Sequence, residues 1–325
     1  MTMAIRFHET GGPEVLRYED VEVGDPGPGQ IRLRQTAVGL NYIDVYHRNG
    51  LYPVPALPSG IGLEAAAVVE AVGPGVQTPK VGERVAYAGG PVGAYAEERL
   101  MPADRVVALP DAISDKQAAA MMLQGMTAQY LLRRTYPVKA GDTVLIHAAA
   151  GGVGLIACQW AKHLGATVIG TVGSDAKAEL ASANGCDHPI VYSREDFVAE
   201  VKRLTGGRGV AVVYDSVGAS TFAGSLDCLR PMGMMVSFGN ASGPVPAFEP
   251  GILAAKGSLF LTRPTLMTYT ADPEDLRRTA GELFAVVESG AVKIHVNHEY
   301  PLAEAAQAHR DLEARKTTGS TILLP

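Results

Sequence analysis

The chain has 325 residues, 47% of them hydrophobic and 19% charged, and this length predicts two domains rather than one core. The net charge of −6 argues against a nucleic-acid partner, since affinity for a phosphate backbone comes largely from clustered Lys and Arg. No apolar run is long enough to span a bilayer. The three cysteines, Cys158, Cys186 and Cys228, are too few and too far apart for a disulfide framework or a cysteine zinc site.

The first residues, "MTMAIRFHETGG", have no basic start, apolar stretch or small-residue cleavage site of the kind that marks a signal peptide. We therefore expect a cytoplasmic protein without a membrane partner.

Short strand-like runs broken by Gly and Pro fill residues 1 to about 110, among them "IRLRQTAVGLN" and "VGERVAYAGG". Such spacing predicts a small, irregular β-barrel-like domain. The following segment, "SDKQAAAMMLQGMTAQYLLRRTY", is rich in Ala, Met, Leu and Gln and has Ser114 as a candidate N-cap. It predicts a helical linker into a second domain.

After Gly141 the pattern alternates between apolar strands and helices, from "DTVLIHAA" through "GVAVVYDSVG" to "GSLFLTRP". Uninterrupted apolar strands that alternate with helices indicate a parallel sheet covered on both faces. The predicted class is α/β, with a doubly wound nucleotide-binding sheet. A later helix at "PEDLRRTAGELFAVVESG" and a strand at "STILLP" are expected to return to the first domain.

A glycine turn, Ala149-Ala150-Gly151-Gly152-Val153-Gly154, follows the first strand of the predicted sheet. A helix closed by Gly165 comes next, so the turn has the setting of a dinucleotide fingerprint in which Ala replaces the first Gly. The backbone approaches a pyrophosphate there and the helix N-terminus favours its charge. The alternative is a plain tight turn.

The choice of dinucleotide depends on the charge about twenty residues further on, where NAD sites present an acid to the ribose. That place is taken by Gly173, followed by Ser174 and Lys177, so a 2′-phosphate can enter and NADPH is favoured. Asp175 could repel the phosphate if it pointed inward. In the alternative, Asp175 caps the next helix and Lys177 is a solvated lysine.

Two motifs of the first domain, "AVGLNYID" and "GIGLEAAAVV", occupy the places where zinc-dependent medium-chain alcohol dehydrogenases have a cysteine and a Gly-His-Glu. This chain has Asn41 and Leu63 there, although it keeps Asp44 and Glu64. Because a thiolate and an imidazole are missing, a catalytic zinc site is not expected.

The chain resembles the zinc-free quinone oxidoreductase branch of the medium-chain dehydrogenase/reductase superfamily, the group that includes zeta-crystallin. The resemblance covers essentially the whole chain and rests on "FHETGGPEVL", "VGLNYIDVYHRNGLYP", "HAAAGGVGLIACQWAK", "VYDSVG", "SFGNASG" and "LTRPTL". It implies a GroES-like catalytic domain over 1–122 and 264–325 and a Rossmann domain over 123–263. It also implies NADPH as hydride donor and a homodimer or homotetramer.

The resemblance also implies site residues. Those expected at the nicotinamide end and in the quinone pocket are Asn41, Asp44, Tyr46, Tyr52 and Gln124, of which the first three also line the cofactor. Those expected to bind the rest of the cofactor are Tyr130, Gly151, Gly152, Val153, Gly173, Ser174, Lys177, Tyr192, Ser216, Phe238, Gly239, Asn240, Arg263 and Arg315. For Tyr46 and Tyr52 the alternative is ordinary packing, for Asn41 a turn residue, and for Arg315 a solvated charge.

The implied activity is NADPH-dependent quinone reduction in a cleft between the domains, by hydride or single-electron transfer. A quinone needs less help from a Lewis acid than a ketone does, because the electrons it accepts spread into an aromatic ring and two oxygens, and proximity is then the main catalytic effect. The alternative is an enone or enal reductase with the same cofactor. An RNA-binding or structural role, as associated with relatives of zeta-crystallin, fits the acidic charge poorly.

Overall fold

A computed structural model describes residues 2–325, which contain sixteen strands and eleven α-helices. The strands are β1 Thr2–Phe7, β2 Arg17–Val21, β3 Gln30–Leu40, β4 Ser59–Gly60, β5 Glu64–Val72, β6 Arg84–Ala88, β7 Glu98–Pro102, β8 Val107–Ala108, β9 Thr143–Ile146, β10 Thr167–Val172, β11 His188–Val191, β12 Val210–Asp215, β13 Leu229–Ser237, β14 Phe260–Thr262, β15 Val296–Pro301 and β16 Ser320–Leu324. The helices are α1 Tyr42–Arg48, α2 Asp115–Ala119, α3 Met122–Tyr130, α4 Gly152–His163, α5 Asp175–Ala183, α6 Phe197–Leu204, α7 Phe222–Asp227, α8 Gly251–Ala255, α9 Leu266–Tyr269, α10 Pro273–Glu288 and α11 Ala305–Glu313.

The first of two compact units contains the described residues up to Met126, together with Thr270–Glu288 and Ile294–Pro325. Its larger sheet has the order β15-β16-β3-β5-β6-β8, with β7 also paired to β3, and a smaller sheet has the order β2-β1-β4. The first half of the central strand β3 alternates in burial, so that Ile31 and Leu33 face the apolar core while Arg32 and Arg34 face outward. This unit is the β-rich, GroES-like part of the α/β protein.

The second unit contains Thr127–Tyr269 and Ser289–Lys293. Its sheet has the order β11-β10-β9-β12-β13-β14, and every neighbouring pair is parallel. The middle strand β12, "VAVVYD", is buried at all six positions, as expected for a strand covered on both faces. The strand order reverses between β9 and β12, which is the switch point of a doubly wound Rossmann sheet.

The predicted linker forms α2 and α3 followed by a π-helix at Leu131–Thr135. Ser114 is the N-cap of α2, as predicted: its Oγ accepts the Gln117 N–H at 3.3 Å, and Gln117 Oε1 accepts the Ser114 N–H at 3.1 Å. The tail also returns as expected, since β16 pairs antiparallel with β3.

The sequence-based domain boundaries lie at 122/123 and 263/264, whereas the compact units divide after Met126 and after Tyr269. The segment Ser289–Lys293, which follows α10, belongs to the second unit. Within residues 2–325 no helix is both long and apolar enough to cross a membrane.

Candidate active site

The glycine turn of the second unit leads directly into α4. Gly151 is the N-cap with extended backbone (φ −81°, ψ 174°), and the helix runs from Gly152 to His163, with Gly165 in the left-handed conformation just beyond it. No side chain caps this N-terminus, and its first turn has no acidic residue. The backbone N–H groups of the first turn therefore remain available to an anion, and the helix dipole favours one there.

The turn is packed too closely at Gly154 to admit a side chain. A Cβ added to Gly154 would lie 2.2 Å from the Ala148 carbonyl oxygen, and one added to Gly151 would lie 3.2 Å from the same atom. Ala148 itself has a φ of 53°, a left-handed conformation that is unfavourable for Ala. A tight turn at a helix N-terminus is the geometry that the predicted pyrophosphate contacts of Gly151, Gly152 and Val153 require.

The next candidate contacts lie at the carboxyl end of β10. The Tyr192 hydroxyl lies over Gly173, where an added Cβ would be 2.9 Å away. Ser174 is the N-cap of α5, and its Oγ accepts the Lys177 N–H at 3.4 Å. The alternative in which Asp175 caps this helix is therefore wrong, because the cap is one residue earlier.

Asp175 does not stand alone beside this helix end. Its carboxylate pairs with the Arg194 guanidinium at 2.5 Å, and both side chains are exposed. The pairing offsets the negative charge that could repel a ribose phosphate. Sequence reasoning missed Arg194, whose only signal is its position two residues after Tyr192.

Residues after β12 and β13 also meet at the carboxyl edge of the sheet. The Phe238 N–H donates to Asp215, and the Ser216 carbonyl accepts the Ala241 N–H. A Cβ on Gly239 would lie 2.4 Å from the Ser216 carbonyl oxygen. Ser216, Phe238, Gly239 and Asn240 thus lie on two loops that contact each other, as the sequence predicts for this edge.

Asp215 holds the loop that carries Ser216, and sequence reasoning did not single it out. Its fully buried carboxylate accepts the N–H groups of Val217 at 2.7 Å and Gly218 at 3.0 Å. It also accepts the hydroxyls of Thr221 at 2.8 Å and Ser225 at 3.0 Å. Asp215 was visible in "VYDSVG" as a carboxylate at a strand end.

Tyr130 and Arg263 lie in the second unit as well. The Tyr130 ring stacks on Tyr269 at 4.6 Å, and burial raises the pKa of the Tyr130 hydroxyl above its ordinary value. Arg263 is exposed and donates from Nη1 to the Ser237 carbonyl at 2.9 Å, at the end of β13.

In the first unit, Asn41 and Asp44 meet at the start of α1. Asp44 Oδ2 accepts the Asn41 N–H and the Tyr95 hydroxyl, each at 2.9 Å. The Asp44 carboxyl is fully buried, and this burial raises its pKa to about 7 although both hydrogen bonds oppose the rise. Asp44 thus fixes the backbone from which Asn41 extends.

The Asn41 side chain lies between two other buried polar groups. Its Nδ2 donates to Glu64 Oε2 at 2.5 Å, and its Oδ1 accepts Gln124 Nε2 at 3.1 Å. Glu64 Oε1 accepts the Leu123 N–H at 2.7 Å. Burial raises the pKa of Glu64 to about 8. Sequence reasoning noticed Glu64 but gave it no role, because its partners are distant in sequence.

Three tyrosine rings lie close together: Tyr42 and Tyr46 are on α1, and Tyr52 lies just after it. Tyr46 lies edge-on to Tyr52 with ring centroids 5.1 Å apart and lies 5.5 Å from Tyr42. The Tyr52 N–H donates to the Tyr46 carbonyl at 2.9 Å.

Arg315 lies just after α11, exposed, with a φ of 59°. The structure brings Asn41, Asp44 and Gln124 together, and Tyr46 with Tyr52.

The two positions at which zinc-dependent relatives have ligands carry none of the usual donor types here. Leu63 is buried and aliphatic, and Asn41 presents an amide that is already bonded on both sides. Among the described residues, no group of three or more His, Cys, Asp and Glu side chains could hold a metal ion.

Comparison with known proteins finds two family models that match different parts of the chain. Residues 27–111 match the model of the alcohol dehydrogenase GroES-like domain, and residues 152–280 match that of the zinc-binding dehydrogenases. A quinone oxidoreductase of Pseudomonas aeruginosa is 55% identical over 100% of both chains. The chain belongs to the quinone oxidoreductase family.

Two further proteins similar to this chain are informative about the cofactor and the substrate of the family. The crystal structure of Escherichia coli quinone oxidoreductase complexed with NADPH has a TM-score of 0.98 and 50% identity, covering 99% of this chain and 100% of that one. A 2-haloacrylate reductase of a Burkholderia species is 50% identical over 100% of this chain and 99% of its own length. The family thus includes full-length relatives named for two kinds of acceptor.

Proposed function

We propose that this protein reduces quinones with NADPH, converting NADPH, a proton and a quinone into NADP⁺ and a hydroquinone. It is an oxidoreductase of the quinone oxidoreductase family and uses NADPH. The proposal rests on the 55% identity to a quinone oxidoreductase over the full length of both chains. A second quinone oxidoreductase, whose crystal structure contains NADPH, has nearly the same structure as this chain.

The second unit has the features that NADPH requires. The uncapped N-terminus of α4 and its close-packed glycine turn fit the pyrophosphate. Ser174, Lys177 and Tyr192 would hold the ribose phosphate, with Arg194 balancing Asp175. Bound NADPH supplies a hydride from its nicotinamide ring. Tyr130, Arg263 and the loops that carry Ser216, Phe238, Gly239 and Asn240 would orient the remainder of the cofactor.

The first unit offers polar and aromatic groups for the quinone. Asn41 and Gln124 present amides, and the paired rings of Tyr46 and Tyr52 give an aromatic wall with hydroxyl donors. Donors of this kind stabilise the negative charge that develops on a quinone oxygen. We therefore assign substrate contact to these four residues and a positioning role to the buried Asp44.

Three further features belong to the proposal. We infer that the reaction needs no metal, because Asn41 and Leu63 occupy the ligand positions. We infer a homodimer or homotetramer formed through the nucleotide-binding unit, since the edge strand β14 exposes 58% of Phe260. We infer a cytoplasmic location, in keeping with three buried, unpaired cysteines.

A second candidate is reduction of an activated carbon–carbon double bond. The 50% identity to a 2-haloacrylate reductase favours it. Hydride transfer to such a bond leaves charge on a conjugated carbonyl or carboxylate, which the same amide and hydroxyl donors would stabilise. The two substrates would then compete for one site.

The test is to follow the loss of NADPH absorbance with the purified, chelator-treated protein and with 1,4-benzoquinone, 9,10-phenanthrenequinone, 2-chloroacrylate and an enone in parallel. We expect saturable oxidation with a quinone, a preference for NADPH over NADH and no dependence on added zinc. If only 2-chloroacrylate is turned over, quinone reduction is wrong and the second candidate, reduction of an activated carbon–carbon double bond, takes its place.

A pair of variants links this activity to the site. Tyr52→Phe should raise the KM for the quinone or lower kcat, whereas Tyr18→Phe, which changes an exposed tyrosine on β2, should do neither. Equal kinetics for the two variants would contradict the assignment of Tyr52 to the quinone pocket.

A further inference from the structure

Four buried side chains of the first unit form one continuous hydrogen-bonded chain, here called the amide chain: Glu64, Asn41, Gln124 and Ser320. The successive distances are 2.5 Å from Glu64 Oε2 to Asn41 Nδ2, 3.1 Å from Asn41 Oδ1 to Gln124 Nε2 and 2.6 Å from Gln124 Oε1 to Ser320 Oγ. All four residues are buried, so each of these groups depends on the others for its partners.

The way in which the amide oxygen and nitrogen atoms of the amide chain are oriented creates a conflict at its Ser320 end. Ser320 Oγ lies 2.6 Å from Gln124 Oε1 and 2.7 Å from the Ala120 carbonyl oxygen. Both neighbours are acceptors, but a serine hydroxyl has one hydrogen and can donate to only one of them. In this direction one pair of oxygen atoms is left in contact without a hydrogen between them, which is costly in a buried site.

Reversing both amides removes that conflict. Gln124 Nε2 then donates to Ser320 Oγ, and the Ser320 hydroxyl donates to the Ala120 carbonyl. Asn41 Nδ2 donates to Gln124 Oε1, which turns Asn41 Oδ1 towards Glu64. Two oxygens now meet at the other end of the chain, unless the Glu64 carboxyl carries a proton and donates it to Asn41 Oδ1. One proton therefore gives every group a partner.

The surroundings of Glu64 favour the protonated carboxyl. Glu64 is 0% exposed, and the titratable groups that face it are Asp44, Tyr87 and Tyr95, none of them a cation. A Cβ on Gly39 would lie 2.3 Å from Glu64 Oε2, so bare backbone packs against the carboxyl. Burial is the main cause that raises the Glu64 pKa to about 8, and Asp44 adds to it, although hydrogen bonds from Asn41 and from the backbone N–H groups of Leu123 and Met122 oppose the rise.

We propose that Glu64 carries a proton in the working enzyme and that this proton sets the direction in which the amides of Asn41 and Gln124 face. Glu64 is then a positioning residue for the reaction, an inference that rests on the proposed role of these amides in binding the quinone. Each amide uses one of its two N–H groups within the chain. Reversal of the chain redirects the other N–H, and hence the donor offered to a quinone oxygen.

The protonation state can be measured without any substrate. Infrared spectroscopy of the intact protein at pH 7 should show the C=O stretching band of a protonated carboxylic acid that disappears in Glu64→Gln. The matched control is Glu70→Gln on the same strand, because Glu70 pairs with Arg34 at 3.1 Å near the surface and should contribute no such band. Asp44→Asn identifies the contribution of the second buried carboxyl. If Glu64→Gln removes no band at pH 7, the inference is overturned.

Kinetics test the consequence for the amides. A glutamine at position 64 supplies one donor and one acceptor, as a protonated carboxyl does, whereas it cannot supply the two acceptors of a carboxylate. We expect Glu64→Gln to keep kcat/KM within about threefold of the original, and Glu64→Ala to lower it about tenfold or more. The original enzyme should lose activity above about pH 8, and Glu64→Gln should not.

A Glu64→Gln protein with an unchanged melting temperature and the same loss as Glu64→Ala would overturn the inference, since an ionised Glu64 would then be required. Failure of the proposed function has a different signature, namely no quinone turnover by the unmodified protein. The infrared band decides the protonation of Glu64 in that case as well.

Discussion

Arg48 and Glu313 form a two-pronged ion pair that joins α1 to α11, with both N···O distances at 2.9 Å. The Arg48 side chain is only 2% exposed, and its Nη1 also donates to Nδ1 of His309 at 2.9 Å. Burial, followed by the charge of Arg48, lowers the pKa of His309 to about 3. His309 is therefore neutral, and the cation relies on Glu313 for its counter-charge.

Glu313→Ala should lower the free energy of unfolding by about 2–3 kcal/mol, because it leaves the buried guanidinium without its carboxylate. Urea unfolding monitored by circular dichroism measures the change. The control is Lys316→Ala, which breaks an exposed pair with Asp311 and should cost about 0–1 kcal/mol. Equal losses in the two variants would show that burial gives the Arg48 pair no special weight.

The contribution of Asp44 and Glu64 to stability should fall as the pH rises from about 4 to about 8, whereas that of His309, whose pKa is lowered from 6.5 to about 3, should rise over that interval. Asp44 and Glu64 have ordinary pKa values of 3.8 and 4.5 but folded pKa values of about 7 and about 8. The folded state therefore holds these protons more tightly. The stabilising contribution of each carboxyl is therefore complete at a pH below its pKa in the unfolded chain. It falls by roughly 1 kcal/mol per pH unit as the pH rises and is lost once the pH passes the pKa in the folded state.

Urea midpoints at pH 5, 6, 7 and 8 for the original protein and for Asp44→Asn and Glu64→Gln isolate each carboxyl, and the original protein should lose stability relative to each variant as the pH rises. Asp311→Asn serves as the control, since hydrogen bonds from its neighbours lower the pKa of Asp311 and place its effect at more acidic pH. If stability still falls with rising pH in the double variant Asp44→Asn, Glu64→Gln, other groups cause that fall.

Gly154→Ala should weaken NADPH binding and destabilise the fold. The new methyl group would lie 2.2 Å from the Ala148 carbonyl, so the turn must open by a distance that the pyrophosphate site cannot tolerate. We expect a loss of about 2 kcal/mol or more in stability and a higher Kd for NADPH by calorimetry. Gly281→Ala, an exposed helical glycine with open space around it, should instead stabilise by about 0.5–1 kcal/mol. Gly154→Ala with unchanged NADPH affinity would remove the turn from the cofactor site.

Lys177→Ala should raise the Kd for NADPH about 10- to 100-fold, the effect of losing one charge-assisted hydrogen bond to the ribose phosphate. The Kd for NADH, which lacks that phosphate, should change little. Lys162→Ala on α4 is the matched control, because Lys162 pairs with Asp187 at 2.5 Å. If NADPH and NADH weaken equally in Lys177→Ala, the lysine does not contact the phosphate.

The local features of this protein could be deduced from its sequence because they depend on neighbouring residues. The turn from Gly151 to Gly154, the left-handed Gly165 after α4 and the Ser114 cap of α2 each follow from conformational preferences or hydrogen bonds within a few positions. The alternation of apolar strands with helices likewise predicts a parallel sheet, because both faces of each strand must be covered.

The tertiary structure alone decided which distant groups became partners. Asp175 pairs with Arg194 while Ser174 caps α5, whereas the sequence suggested only a repelling charge or a helix cap for Asp175. The amide chain joins positions 41, 64, 124 and 320, whose spacing has no periodicity to reveal it. A pKa near 8 for Glu64 requires exclusion from water by several elements at once. Desolvation and hydrogen-bond direction depend on which groups the completed fold brings together, whereas caps and turns depend on the adjacent chain.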